Sequence, residues 1–326
     1  MLNNSQYNEI ERIYDARRKA SRDLKDARSR ELKEKYPFIA EIEEKIVTES
    51  VKAGRLAIAG DITALKELER NNGQLIDAKR EFLTNNGYPA DYLDDVYECP
   101  KCKDTGKIDG KPCECFYRTV INHFYMPDDR RELLEKESFD TFDVNIYSRE
   151  IDTDNPEAKS DYDIMSESVG LALDFSEEFE NRYENLLITG ETGTGKTFLA
   201  NCIAGALLKR NISVLYMPAY ELFQVFSRAT FSKGEESRNA EEEKELIYSV
   251  ECLIIDDLGT ELTNNFVATE LFACIESRHL AKRSTVITTN LDPEDIENKY
   301  TSRVKSRLVG NYKYLLMPGH DNRIGE

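Results

Sequence analysis

The stretch of sequence that decides the fold is Gly190-Glu191-Thr192-Gly193-Thr194-Gly195-Lys196-Thr197. It fits the pattern G-x-x-x-x-G-K-[ST], and it lies between an apolar run that ends at Thr189 and a helical pattern that begins at Phe198. A strand, a glycine-rich loop and a helix in this order form a P-loop, in which backbone N–H groups surround phosphate oxygens at the positive end of the helix. The predicted nucleotide contacts are Gly190, Glu191, Thr192, Gly193, Thr194, Gly195, Lys196, Thr197 and Phe198. Lys196 is expected to reach the β- and γ-phosphates of ATP, and the Thr197 hydroxyl to ligate Mg²⁺.

A second motif, Leu253-Ile254-Ile255-Asp256-Asp257, is an apolar run that ends in two carboxylates. After a P-loop, this pattern indicates a Walker B element. Asp256 is predicted to bind the nucleotide's Mg²⁺ together with Thr197, and Asp257 to activate the water that attacks the γ-phosphate. A glutamate is more usual in this second role, so Glu261 remains an alternative to Asp257.

Five short apolar runs predict five strands, and helical patterns separate them. The runs are 186–189, 213–216, 252–255, 285–288 and 312–316. Continuous apolar runs suit strands that are buried on both faces. We therefore predict an α/β core in which a five-stranded parallel sheet has helices on both faces.

Two further positions are candidates for catalysis. Asn290 follows the fourth predicted strand and could orient the attacking water or sense the γ-phosphate, although asparagine is also a common turn residue. Arg303 and Arg307 are four residues apart on a predicted helix. Arg307 is the candidate for an arginine that one subunit supplies to the γ-phosphate of its neighbour. The alternative is a surface arginine pair.

Four of the seven cysteines lie within residues 99–115. Cys99 and Cys102 form a C-x₂-C pair, and Cys113 and Cys115 form a C-x-C pair beyond a turn-rich loop. Two close pairs at this spacing predict a tetrahedral Cys₄ zinc site. His123 is an alternative fourth ligand, because C-x-C is the less usual spacing; disulfides and reduced buried thiols are the other interpretations.

The N-terminal region is predicted to be helical. Residues 5–35 alternate in charge around a thin apolar stripe, Pro37 is expected to end this helix, and Asp61 to cap a third one. A helical arm that docks on another protein is favoured over a hairpin packed on its own second domain. The predicted domains are a helical region at 1–98, a zinc knuckle at 99–126, an acidic linker at 127–162 and a nucleotide-binding domain at 163–326.

Composition narrows the class of protein. The 326 residues carry a net charge of -18. The sequence contains no run of about 20 apolar residues, which is the length that a membrane-spanning helix needs. We expect no membrane association, and a cytoplasmic location because no secretory signal is visible at the start. Such acidity argues against coating duplex DNA by charge alone. A local contact with single-stranded DNA is predicted at 220–233, where aromatic and basic residues interleave, with a core-facing helix as the alternative.

Together these motifs resemble the DnaC/DnaI-type replicative helicase loaders, AAA+ ATPases of a family that also includes the IstB transposition helpers. The resemblance extends over about 87–323 and rests on 190–197, 253–259, 288–290, the Arg303/Arg307 helix and 319–323. It implies an arginine finger at Arg307, a sensor arginine at Arg323, and a segment near the adenine at 138–142. It also implies that the helix around Phe226 and Arg228 touches single-stranded DNA, and that the N-terminal region grips a hexameric replicative helicase.

The expected function is therefore Mg²⁺-dependent ATP hydrolysis by a helicase loader. We expect it to bind the helicase through residues 1–98 and the zinc knuckle, and to self-associate through its AAA+ domains. An ATPase helper of a transposase or of a conjugation or mobile-element replication system is the first alternative. A non-catalytic scaffold that only binds ATP is the second, and the intact set of Lys196, Thr197, Asp256 and Asp257 argues against it.

Overall fold

The computed structural model describes residues 4–58, 63–126, 128–151 and 159–319. They divide into two compact units, of which one is Glu11–Thr105 and the other holds the described residues up to Ile10 and from Gly106 onward. Within these ranges, no helix combines the length and the apolar character that crossing a membrane requires. Asp61 and Arg323, for which the sequence predicts a cap and a sensor, lie outside the described residues.

The unit Glu11–Thr105 is built on three helices, as predicted. They are α1 (Asn4–Lys35, whose first residues belong to the other unit), α2 (Pro37–Ile58) and α3 (Thr63–Asn85). Pro37 begins α2 as well as following α1, because proline fits a first helical position whose N–H has no partner within the helix. A small core of Leu32, Ile39, Leu83 and Leu93 is surrounded by aromatic side chains, which are Tyr36, Phe82, Tyr88 and Tyr92.

A short hairpin and four short helical segments follow. Strands β1 (Lys107–Ile108) and β2 (Lys111–Pro112) pair antiparallel through a turn at Asp109 and Gly110, both with positive φ (51° and 77°). Two residues with positive φ are what a tight hairpin turn of the primed type requires. Next come α4 (Glu114–Val120), a π-helical turn (Ile121–Tyr125), α5 (Asp128–Lys136) and a 3₁₀ turn (Val144–Ile146).

The segment predicted as an acidic linker also packs on the core. Leu134 of α5 and Tyr147, just past the 3₁₀ turn, are buried in the same apolar cluster as the strands of the main sheet. The described part of this segment therefore packs against the sheet, and it also connects the elements before and after it.

The main sheet contains five parallel strands, as predicted. They are β3 (Leu186–Gly190), β4 (Val214–Pro218), β5 (Cys252–Leu258), β6 (Ser284–Thr289) and β7 (Lys313–Met317). Their order is β4-β5-β6-β3-β7, so the P-loop strand β3 lies between β6 and β7. The side chains of the central strands have almost no exposure, which agrees with their unbroken apolar runs.

Seven helices accompany these strands. They are α6 (Asp161–Glu177), α7 (Lys196–Lys209), α8 (Ala219–Phe231), α9 (Glu235–Ser249), α10 (Asn265–Leu280), α11 (Pro293–Lys299) and α12 (Ser302–Asn311). The connection from β3 to β4 runs along the sheet in one direction. The connections from β4 to β5, from β5 to β6 and from β6 to β7 run in the opposite direction. Because such crossovers are right-handed, α7 covers one face of the sheet and α8–α12 the opposite face, as predicted.

A buried arginine joins three of these elements. Arg278 of α10 has no exposed surface, and burial lowers the pKa of its guanidinium. The guanidinium donates to the main-chain carbonyls of Ile247, Val250 and Ser284 and to the hydroxyl of Thr285. Each of these acceptors would lose a partner if the side chain were removed, so Arg278 stabilises the packing of α9 and α10 against β6.

Candidate nucleotide-binding site

The loop between β3 and α7 has the backbone that its glycines allow. Gly193 and Gly195 have φ of 81° and 91°, in the left-handed region where residues with a Cβ are strained. Gly190 is required for a different reason, since a Cβ there would lie 2.2 Å from the carbonyl oxygen of Met317 on β7. The loop therefore lies tightly against the neighbouring strand and curves over the N-terminus of α7.

The lysine of the P-loop is folded into the loop itself. Its Nζ donates to the carbonyls of Gly190 (2.9 Å) and Glu191 (2.5 Å), and Lys196 is only 6% exposed. The hydroxyl of Tyr147 donates to the carbonyl of Thr194 (3.0 Å) and holds the loop from its outer side. These contacts hold the Lys196 ammonium and the backbone N–H groups of the loop in positions where they can bind an anionic ligand.

The two predicted magnesium ligands are adjacent. The Thr197 hydroxyl lies 3.3 Å from both carboxylate oxygens of Asp256. A carboxylate and a hydroxyl are the hard oxygen donors that Mg²⁺ prefers, and they lie where a nucleotide's phosphates would enter, so this pair fits the ion.

Two further hydroxyl groups hold the Asp256 carboxylate. Thr288 Oγ1 donates to Oδ1 (2.6 Å) and the Tyr216 hydroxyl to Oδ2 (2.7 Å). Burial, reinforced by the charge of Asp256, raises the pKa of Tyr216 far above its usual value, so the hydroxyl stays protonated and remains a donor. The sequence motif includes Thr288 without assigning it this role, and no motif marks Tyr216.

The two candidates for the water-activating residue lie in different surroundings. Asp257, the last residue but one of β5, has a left-handed conformation (φ 54°) and lines the same cavity as Lys196 and Asn290. Glu261 is instead engaged by the backbone N–H of Gly259 (3.0 Å) and by the hydroxyl of Tyr300.

The cavity has a volume of about 460 Å³, which suits a small-molecule ligand. Its apolar wall includes Phe142 and Phe198, whose rings meet edge to face at 5.3 Å, and Tyr147. Phe142 belongs to the segment 138–142, which the resemblance implies to lie near the adenine, and it lines the same cavity as the P-loop. Glu137 also lines the cavity and accepts a hydrogen bond from Asn201 (2.6 Å); the sequence carries no motif that identifies it.

The proposed arginine finger lies at a different place on the surface. Arg307 forms an ion pair with Glu276, with Nη2 to Oε1 at 3.1 Å, and its guanidinium lies 5.9 Å from the ring of Phe272. With Arg303 it lines a second cavity of about 320 Å³. Such a position is compatible with an arginine that acts on a neighbouring subunit.

The packing of helix α8 contradicts part of the predicted DNA contact. Phe226 is fully buried, because with Leu222 and Val225 it faces the core, which was the alternative interpretation of this spacing. Arg228 forms an ion pair with Glu243 (2.8 Å). The exposed aromatic side chains of this helix are those of Tyr220 (50%) and Phe231 (66%).

The four knuckle cysteines form one cluster. The Sγ atoms of Cys99, Cys102, Cys113 and Cys115 all lie within 4.8 Å of one another, and all four residues are buried. Tetrahedral zinc with bonds of about 2.3 Å needs sulfur atoms about 3.8 Å apart, so the cluster fits the ion after a small contraction.

Two other contacts bear on this cluster. The carboxylate of Asp104 accepts from the backbone N–H groups of Glu98 (3.0 Å) and Cys99 (2.8 Å), which shapes the first turn of the knuckle. His123, the alternative ligand, instead lies 3.1 Å from Glu9 Oε2. The cysteines therefore supply a full set of four ligands without it.

Comparisons with known proteins agree with this site. Residues 168–304 match the family described as IstB-like ATP binding protein. The replicative helicase loader DnaC of Buchnera aphidicola (strain Sg) is 28% identical over 158 residues, which are 48% of this chain and 63% of that protein. DnaC of Escherichia coli K12 is 27% identical over 146 residues, covering 44% and 58%.

Two other matches extend the comparison. A putative ATP-binding protein of insertion sequence IS232 from Bacillus thuringiensis is 35% identical over 121 residues, 37% of this chain and 46% of that protein. The crystal structure of DnaI aligns with a TM-score of 0.46 at 24% identity, over 61% of this chain and 95% of that one.

The strand order and the glycine-rich loop are those of a P-loop nucleotide-binding domain. The predicted resemblance to DnaC-type AAA+ loaders and IstB-like proteins is confirmed by the sequence matches. The chain spans about three fifths of the length of the loaders that it matches.

Proposed function

We propose that this protein is an ATPase that loads a hexameric replicative DNA helicase. The observation that carries the proposal is the convergence of Lys196, Thr197, Asp257 and Asn290 on one cavity, with Asp256 bound to Thr197 behind it. The DnaC relatives support the loader role. The insertion-sequence relative matches a shorter part of the chain, so a transposase helper is the less favoured function.

The proposed reaction transfers the γ-phosphoryl group of ATP to water. Lys196 exchanges its two carbonyl acceptors for β- and γ-phosphate oxygens, and the loop N–H groups bind the remaining phosphate charge. Bound Mg²⁺, held by Thr197 and Asp256, would neutralise charge on the phosphates. Asn290 orients the water, and Asp257 accepts its proton while the oxygen attacks the γ-phosphorus and the bond to the leaving ADP oxygen breaks.

We propose that subunits associate so that Arg307 of one reaches the γ-phosphate of the next. Its guanidinium would then exchange the carboxylate of Glu276 for a phosphate oxygen. An arginine in this role can accelerate hydrolysis by about 10³–10⁵-fold. Arg323 remains a proposed sensor of the same phosphate group.

We propose that the N-terminal region and the zinc knuckle bind the helicase. Helix α2 exposes apolar side chains on successive turns, with Val47 62% and Val51 51% exposed. Exposed aliphatic groups at this spacing are typical of a surface that packs against a partner helix. Single-stranded DNA would contact the nucleotide-binding domain weakly, through the exposed rings of Tyr220 and Phe231.

The first experiment measures steady-state ATP hydrolysis in Mg²⁺ buffer. We expect Asp257→Asn to lower kcat by at least about 100-fold while the protein still binds ATP, because the general base is lost but the phosphate contacts remain. Glu261→Gln is the matched control and should keep most of the activity. Hydrolysis by the Asp257 variant at the wild-type rate would contradict the proposed mechanism, and a wild-type rate of zero would favour the scaffold.

The second experiment tests the partner by native mass spectrometry of the full chain mixed with its host's hexameric helicase, in ATP and then in ADP. We expect a nucleotide-sensitive complex that Val47→Asp weakens. Leu280→Asp is the control, since Leu280 is an exposed aliphatic residue (72%) in the other unit. Measurable ATPase activity without a complex in any nucleotide would favour a transposase or conjugation partner instead.

A further inference from the structure

The carboxylate of Asp256 is held from both sides by side chains of the neighbouring strands. Asp256 lies on β5, between β4 and β6, and its backbone is in register with Pro218 of β4. Tyr216 lies two residues before Pro218 and therefore points to the same face of the sheet as Asp256. Its hydroxyl reaches Oδ2 at 2.7 Å, while Thr288 of β6 reaches Oδ1 at 2.6 Å.

A second group holds the ring of Tyr216. The guanidinium carbon of Arg130, on α5, lies 4.3 Å from the centre of the Tyr216 ring, in the position of a cation–π contact. Tyr216 is only 8% exposed, so its ring has little freedom to move away. The hydroxyl is thereby directed at the carboxylate by contacts on the ring as well as by its own hydrogen bond.

We propose that Tyr216 is a positioning residue that orients Asp256 for magnesium, and that Arg130 holds Tyr216 in place. The inference rests on the proposed function, since the ion would arrive with the nucleotide. With Oδ2 bound to Tyr216 and Oδ1 to Thr288, the carboxylate cannot rotate, and its remaining lone pairs stay near the Thr197 hydroxyl. Without the tyrosine hydroxyl, the Asp256 carboxylate can rotate. The metal must then immobilise the carboxylate when it binds, which lowers the affinity for the metal.

The test is Tyr216→Phe, which removes the hydroxyl and keeps the ring. Tyr312→Phe is the matched control, because Tyr312 is equally buried (8% exposed) and its hydroxyl neighbours Thr285, at the other end of β6. Binding of Mn²⁺ to the complex of the full chain with ADP is followed by electron paramagnetic resonance. Affinity for a fluorescent ADP analogue is measured separately in EDTA.

We expect Tyr216→Phe to weaken Mn²⁺ binding about tenfold or more, the effect of losing one hydrogen bond to a charged group. Its affinity for ADP in EDTA should stay within about twofold of the wild-type value, and Tyr312→Phe should bind both normally. Arg130→Met, which keeps much of the side-chain bulk, should weaken Mn²⁺ binding in the same direction by a smaller factor.

Unchanged Mn²⁺ binding by folded Tyr216→Phe would overturn the inference and leave the proposed function intact. If Tyr216→Phe does not fold, Mn²⁺ binding by Arg130→Met is the test, and unchanged binding by that variant would overturn the inference. A loss of ADP affinity in EDTA equal to the loss of Mn²⁺ affinity would also overturn it, since the tyrosine would then shape the whole site. A wild-type chain that binds no ADP would instead overturn the proposed function itself.

Discussion

Replacing Gly190 by alanine tests how tightly the P-loop strand lies against its neighbour. Gly190 is the last residue of β3 and is in register with Met317 of β7. An added Cβ would be 2.2 Å from the Met317 carbonyl oxygen, whereas real Cβ atoms essentially never approach a heavy atom closer than 3.0 Å. The two backbones must therefore separate by about 1 Å at a point where strand pairing holds them together.

The expected cost follows from that displacement. Overpacking against backbone that cannot yield lowers the free energy of unfolding by about 2–3 kcal/mol. In a chain of 326 residues, such a loss lowers Tm by about 3–4 °C. Nucleotide affinity should fall as well, because Gly190 begins the loop whose backbone N–H groups are proposed to bind the phosphates.

Gly170→Ala provides a control with the same chemical change. Gly170 is exposed on α6, and a Cβ there would meet no atom within 4 Å. Alanine is the better helix former, so this variant should be as stable as the wild type or more stable by up to about 1 kcal/mol. Thermal unfolding followed by circular dichroism measures both variants. A Tm for Gly190→Ala equal to that of the wild type would refute the close approach of β3 and β7.

Three further predictions concern buried groups. Arg278→Met should lower the free energy of unfolding by about 3–5 kcal/mol in urea denaturation, because buried acceptors lose their donor; a change below 1 kcal/mol would count against this. Elemental analysis of protein purified without chelator should find zinc, which Cys102→Ser should lose; metal-free wild-type protein would exclude the site. Burial raises the pKa of Cys202, Cys252 and Cys274 to about 12. Iodoacetamide at pH 8 should therefore modify these three cysteines only in denaturant, and mass spectrometry detects the modification.

Much of the fold could be predicted because its signals are local. Strands β3, β4 and β5 each contain a continuous apolar run that is buried, which is a local signal of a strand inside a parallel sheet. The edge strand β7 is less clear, because it contains Lys313 and is partly exposed. The P-loop and the cysteine cluster are equally local, since a few residues at fixed spacing carry their chemistry.

Helix α8 shows where a local pattern is ambiguous. The interleaved aromatic and basic residues of 220–233 fit a contact with DNA, while the spacing of Leu222, Val225 and Phe226 fits a core-facing stripe. Packing decided between them by burying Phe226 and leaving Phe231 on the surface. Glu261 is a second example, because only the structure shows that its carboxylate accepts hydrogen bonds from Tyr300 and from the Gly259 N–H.

The sequence by itself determined that this chain has a P-loop, a Walker B strand, a parallel sheet and a cluster of four thiols. Only the tertiary structure decided which side chains surround these motifs, among them Tyr216 and Thr288 on Asp256, and Arg130 on Tyr216. The physical reason is the strand order β4-β5-β6-β3-β7, which differs from the order along the chain. It brings together residues that are far apart in sequence, through contacts that no short spacing encodes.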